Sequence, residues 1–185
     1  MKKILIITFY FILSNCLQAQ TKELSFSYSP FSIYRLGHTN EEGFDESSHF
    51  VLGAFNFDYY SYLNNWLKVG ANLMYDREAE KGVYSGMWNR DVPYEITNSI
   101  FVIAPQVDFE YLRNPSFRLS SGLSVGYTIV NGSKSDDRVV TEGMKNGFIF
   151  HVNLISFRWG RKRGLYGYMG LGHKGFLGLG YFVRI

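Results

Sequence analysis

The stretch Phe117-Arg118-Leu119-Ser120-Ser121-Gly122-Leu123-Ser124-Val125-Gly126-Tyr127-Thr128-Ile129 decides how this chain folds. Phe117, Leu119, Leu123, Val125, Tyr127 and Ile129 share one phase of a two-residue repeat, and Arg118, Ser120, Gly122, Ser124 and Gly126 share the other. Successive side chains of a strand point to opposite faces, so the stretch is a strand with one apolar face and one small, polar face. The apolar face is as bulky as a core; the polar face is too small for an ordinary solvated surface.

The same alternation repeats on both sides of it. Upstream, Phe101, Ile103, Val107, Phe109 and Tyr111 oppose Ala104, Gln106, Asp108 and Glu110 across the Asn114-Pro115 turn. Before that, Leu67, Val69, Ala71, Leu73 and Tyr75 oppose Lys68, Gly70, Asn72 and Asp76. Residues 50–62 set Val51, Phe55, Phe57 and Tyr59 against Ala54, Asn56 and Asp58. In the first strand, 23–36, Leu24, Phe26 and Tyr28 share a face, and Pro30 marks a bulge, because proline donates no ladder hydrogen bond. Downstream, residues 148–159 set Phe148, Phe150, Val152 and Leu154 opposite His151 and Asn153. The basic run Arg161-Lys162-Arg163 then opens a glycine-rich pair, 165–172 and 176–185.

The connections alternate in length. Those at 63–66, 112–115 and 160–164 are tight, while those at 37–48, 77–98 and 130–146 are long and polar. Turns at one rim and loops at the other, over about eight strands, are the signature of an all-β, eight-stranded antiparallel up-and-down transmembrane β-barrel. A soluble barrel would show the same periodicity with its apolar face inward. Two features favour the opposite sense. The polar face is small enough to fill a narrow lumen, and strands of about ten to thirteen residues match a tilted membrane crossing better than the usual five or six. Tyr59, Tyr75, Tyr111, Tyr127, Trp66 and Trp159 also gather near strand ends, where aromatic girdles form.

The 185 residues carry 46% apolar and 18% aromatic side chains, yet no stretch after the first twenty approaches the roughly 20 apolar residues of a spanning helix. Residues 1–19 read as a secretory signal: Lys2 and Lys3, a short apolar core, and cleavage after Ala19. That leaves 20–185 as the barrel domain. Leu13-Ser14-Asn15-Cys16 offers the alternative of an acylated Cys16; cleavage at Ala19 instead removes the single cysteine and with it any disulfide. Formal net charge falls from +3 to +1 without Lys2 and Lys3, so bulk electrostatics suggest no nucleic-acid partner.

On this patterning the chain resembles the small outer-membrane β-barrels of the OmpA transmembrane-domain and OmpX type, within the porin-like group, over nearly all of residues 21–185. The alternating Leu177, Leu179, Tyr181, Val183 and Ile185 are similar to the C-terminal signal read by barrel-assembly machinery, although the group usually ends in Phe or Trp. The resemblance implies the outer membrane of a Gram-negative-type bacterium, with both termini periplasmic. Its implied partners are outer-membrane lipids and lipopolysaccharide, with the assembly machinery during insertion. It implies a non-enzymatic role in envelope structure or in surface interaction through the long loops.

Candidate chemistry is sparse. Gly170-Leu171-Gly172-His173-Lys174-Gly175 spells the dinucleotide fingerprint, but the fingerprint needs a helix next and a strand follows, so no cofactor is expected. Asp45, Ser47 and His49 alternate at the long-loop rim, where lipid A-modifying barrels hold a catalytic Ser and His. Residues two apart on one strand lie about 6.5–7 Å apart at Cα, however, and a Ser–His pair needs hydrogen-bond reach. The deacylase pattern resembles His-x-Ser, whereas this chain has Ser47-Ser48-His49. A lipid A acyl hydrolase is therefore the alternative function, and a narrow or gated pore a second. The polar-face residues Asp58, Lys68, Asp108, Glu110, Arg118, His151 and Asn153 are expected to form a paired plug in the lumen, since charges in a narrow interior must find partners. Hairpin pairing about 112–115 places Arg118 near Asp108 or Glu110. His38, His49 and His173 are placed at the loop rim near Glu41, Glu42, Asp45 and Glu46, without metal-ligand spacing. Charge is sorted by rim: 37–48 holds four acids and no base, and 158–163 four bases and no acid.

Overall fold

Nine antiparallel strand segments make one closed wall. The computed structural model describes residues 21–31, 44–85, 91–134 and 146–185; the leader 1–19, Cys16, His38 and most of the acidic 37–48 segment lie outside them. The strands are β1 (Lys22–Ser29), β2 (Phe44–Val51), β3 (Ala54–Tyr62), β4 (Leu67–Ser85), β5 (Asp91–Arg113), β6 (Phe117–Lys134), β7 (Gly147–Gly160), β8 (Arg163–Gly172) and β9 (Leu177–Arg184). From β3 to β9 each strand pairs with the next, β1 pairs with β3, and β1 also pairs with β9 over Glu23 to Tyr28, which closes the sheet. Because β2 and β3 both pair with β4, they form one interrupted wall strand, so the barrel is eight-stranded. The interruption is Leu52-Gly53. Gly53 has φ +93°, and a Cβ there would run into the Ser29 carbonyl, so the chain jogs at the one residue type that fits.

The burial pattern sets the sense of the wall. Along β5, Ile100, Val102, Ala104, Gln106, Asp108 and Glu110 are buried, whereas Phe101, Ile103 and Phe109 are exposed. The polar phase therefore faces the lumen and the bulky apolar phase faces out. An all-polar lumen is not what results: Ala54, Met74, Ile100, Val102 and Ala104 form an apolar layer toward the long-loop end.

Three boundary expectations change. Residues 77–85 and 91–98 are strand rather than loop, since β4 and β5 stay paired from Arg77↔Ser99 up to Ser85↔Asp91. Polar side chains gave no apolar phase to follow, but the backbone ladder needs none. The segment 130–146 likewise begins as strand, with β6 running to Lys134. Pro30 sits in a bend after β1 ends at Ser29 rather than in a bulge inside a longer strand; residues 32–36 lie outside the described residues.

The bulges lie elsewhere. In β5, the register steps between Glu110 and Leu112; in β7, Leu154 and Ile155 together face Ser121, whose Oγ donates to the Leu154 carbonyl at 2.5 Å. A bulge shifts the phase of everything after it. Leu154 and Ile155 both face out, and Ser156 and Arg158 then turn inward, buried.

Candidate functional site: the charged lumen

Near the short-turn end the lumen is packed with ions. Glu23, at the start of β1, accepts from Arg158 Nε at 2.5 Å on Oε1 and from Arg184 Nε at 2.8 Å on Oε2. Lys68 Nζ lies 3.3 Å from Asp108 Oδ2, 3.7 Å from Glu23 and 3.9 Å from Glu110. The Tyr62 hydroxyl stands between Glu23 and Glu110, at 3.0 and 2.7 Å. Aromatic faces complete the cage: Lys68 Nζ is 4.1 Å from the Tyr60 ring centre, and the Arg158 guanidinium 4.7 Å from that of Tyr166. Arg158 also donates to Ser120 Oγ at 3.1 Å. In a water-poor interior such charges persist only when each meets an opposite charge or a dipole, and here they interlock.

A second cluster fills the middle. Asp58 Oδ1 accepts from Lys174 Nζ at 2.5 Å, Asn72 Nδ2 at 2.9 Å and Gln106 Nε2 at 3.0 Å. Lys174 also reaches Gln106 Oε1 at 2.7 Å, and its carbonyl accepts from the Tyr168 hydroxyl. Lys174 and His173 belong to the β8–β9 turn, which bends into the barrel rather than away from it. Gly175, at φ +91°, makes the bend, with the Gly175 N–H donating to the Gly172 carbonyl at 2.9 Å.

The seven predicted lumen residues all face inward, but their partners differ in detail. Arg118 meets Glu110 at 3.3 Å and stays 26% exposed, near the mouth; Asp108 belongs to Lys68 instead. Asp58 pairs with none of the other six, taking Lys174. His151 is buried against the Tyr168 ring at 5.8 Å and that of His173 at 5.5 Å. Asn153 is buried on the same face.

Two placements are corrected. Arg158, counted with the basic rim, is 1% exposed inside the lumen because the Leu154-Ile155 bulge rotates it inward. His173, placed at the outer rim with His38 and His49, is fully buried and bonded to Asn72 Oδ1 at 3.2 Å. Glu23, Tyr60, Tyr62, Tyr166 and Arg184 were missed. For Arg158 a signal existed: the apolar doublet Leu154-Ile155 breaks the alternation and resets it. Asp45, Ser47 and His49 lie on β2, whose register with β4 slips between Asp45 and Ser48; their side chains lie outside the described residues. The strand following Gly175 is β9, so the 170–175 glycines terminate a hairpin instead of opening a phosphate-binding helix.

Comparisons with protein-family models, with curated proteins and with solved structures return no match.

Proposed function

We propose that this chain is an outer-membrane β-barrel of a Gram-negative-type envelope, non-enzymatic and non-conducting, that anchors its long-loop rim at the cell surface. The observation that carries this is the outward belt. Phe26, Phe57, Leu73, Phe101, Ile103, Leu123, Phe150, Leu165 and Leu179 are exposed, with at least one on each wall strand. Monomeric soluble proteins rarely leave so continuous an apolar surface in water. A lipid bilayer removes that cost, and a closed barrel satisfies its backbone groups without an edge in hydrocarbon. Trp66 and Trp159, at the short-turn end of the belt, suit the interfacial girdle of such a barrel.

The non-conducting part of the proposal rests on the two ion clusters and the inturned β8–β9 turn, which together occupy the interior. The test is reconstitution of the folded protein into planar bilayers and vesicles. Insertion with heat-modifiable gel mobility and no unitary conductance is the expected outcome. Recovery as a soluble monomer without detergent would overturn the membrane assignment, and steady single-channel currents would overturn the closed lumen.

A further inference from the structure

The short-turn rim carries a cluster of cations that the lumen does not use. Arg161, Lys162 and Arg163 stand exposed at the β7–β8 turn. The neighbouring wall strands bring one more base, Lys22, beside them, by way of β9. The Arg184 N–H donates to the Lys162 carbonyl at 2.7 Å, and Lys22 exchanges backbone hydrogen bonds with Ile185 at 3.0 and 2.9 Å. The acids nearest this rim, Glu23 and Glu110, are buried and held by Arg158, Arg184, Lys68 and Arg118. Among the described residues no acidic side chain is placed against the three exposed bases.

Their height on the wall identifies what they meet. Trp159, Leu165, Tyr181 and Phe26 stand in register across β7, β8, β9 and β1, and all are exposed. The row lies in the lower part of the apolar belt, which on β9 runs on to Val183 and Ile185 beside the bases. Arg163 lies two residues below Leu165 on the same outward phase, a step of about 7 Å along a strand. In a bilayer that step leads from acyl chain to headgroup. An arginine fork there can hold phosphate oxygens bidentately, and the lysine stems can lie along apolar surface with their charges in the headgroup layer. The rim turn at 63–66, with Leu63, Asn64, Asn65 and Trp66, carries no charge.

We infer that the cluster formed by Lys22, Arg161, Lys162 and Arg163 is a binding surface for the phosphate headgroups of anionic phospholipid in the leaflet around the short-turn rim. The inference rests on the membrane assignment above. It adds a lipid preference confined to one sector of the barrel.

Trp66 and Trp159, both exposed, make the test internal to the molecule. Two single-tryptophan proteins, Trp66→Phe with Trp88→Phe and Trp159→Phe with Trp88→Phe, are reconstituted into vesicles containing brominated phosphatidylglycerol or brominated phosphatidylcholine. Quenching at Trp159 is expected to favour phosphatidylglycerol by roughly fivefold, the effect of one well-placed base near an anionic surface. The preference should be much smaller at Trp66 and should fall as salt is raised. Replacing Arg161, Lys162 and Arg163 together by Gln should bring Trp159 to parity while heat-modifiable folding persists. Equal quenching by both lipids at Trp159, or a preference that survives the triple substitution, would overturn the inference. Sedimentation with purified peptidoglycan that depends on the same three bases, alongside equal lipid quenching, would overturn it in favour of a cell-wall partner. No quenching by either lipid at either tryptophan would mean that the protein does not insert, which removes the membrane assignment and the lipid site together.

Discussion

Arg158 and Arg118 are both arginines facing carboxylates in one lumen, and they should behave differently. Arg158 is buried, holds Glu23 at 2.5 Å and packs on Tyr166. Arg158→Ala leaves a buried carboxylate short of a partner and should destabilise the barrel by about 3–5 kcal/mol. Arg118 is 26% exposed, and its partner Glu110 keeps Tyr62 and Lys68. Arg118→Ala should therefore cost only about 1 kcal/mol, the range of a partly solvated pair. Urea titrations of the folded protein, read by gel mobility, compare the two; equal losses would contradict the layered burial described above. Adding Glu23→Gln to Arg158→Ala should recover part of the loss, since the two residues share one contact. The Arg118–Glu110 contact was legible from the hairpin between β5 and β6. That Arg118 is the minor contributor was not, because solvent access at the mouth depends on how far each strand extends.

At the scale of one element, the β7 bulge decides which side chains the lumen receives. Removing Leu154 leaves Asn153, Ser156 and Arg158 on one alternating face, so the deletion should fold and keep heat-modifiable mobility at a modest cost in stability. Inserting an alanine between Ser156 and Phe157 should instead throw Arg158 onto the apolar outer face and Phe157 into the ion cluster, since a one-residue slip exchanges faces. That variant should fail to fold. Gel shifts of the two proteins make the comparison, and a stable insertion variant would count against the phase assignment. In the sequence, strand β7 was read over 148–159, and its alternation is strict from Phe150 to Leu154. Beyond that point the apolar doublet Leu154-Ile155 resets the phase, and the bulge it marks is seated opposite Ser121 of the neighbouring strand.

For the whole molecule, closure is the property to test. Among the described residues, β9 is the only partner β8 and β1 share, so deleting residues 177–185 leaves both with open edges. In hydrocarbon each unpaired backbone group costs several kcal/mol, so the truncated chain should lose heat-modifiable mobility and be degraded. A truncated protein that still inserts would refute closure through β1 and β9. Orientation has its own test: a cysteine replacing Asp45 should react with an impermeant thiol reagent on intact cells, and one replacing Asn114 should react only after the envelope is opened. Labelling at Asn114 in sealed cells would reverse the proposed topology.

Strand number, the alternation of faces and the small-residue lumen were present in the sequence by itself, because side-chain direction in a strand repeats every two residues and Gly, Ser and Ala mark a face with little room. The jog at Gly53, the paired extension of β4 and β5 and the inward bend that buries His173 and Lys174 came only with the tertiary structure. Each depends on a neighbouring strand: a ladder hydrogen bond, a carbonyl too close for a side chain, or a carboxylate such as Asp58 that draws Lys174 across the lumen from 116 residues away. A periodicity describes one strand. Which charge meets which is decided when the eight strands of the wall close on one another.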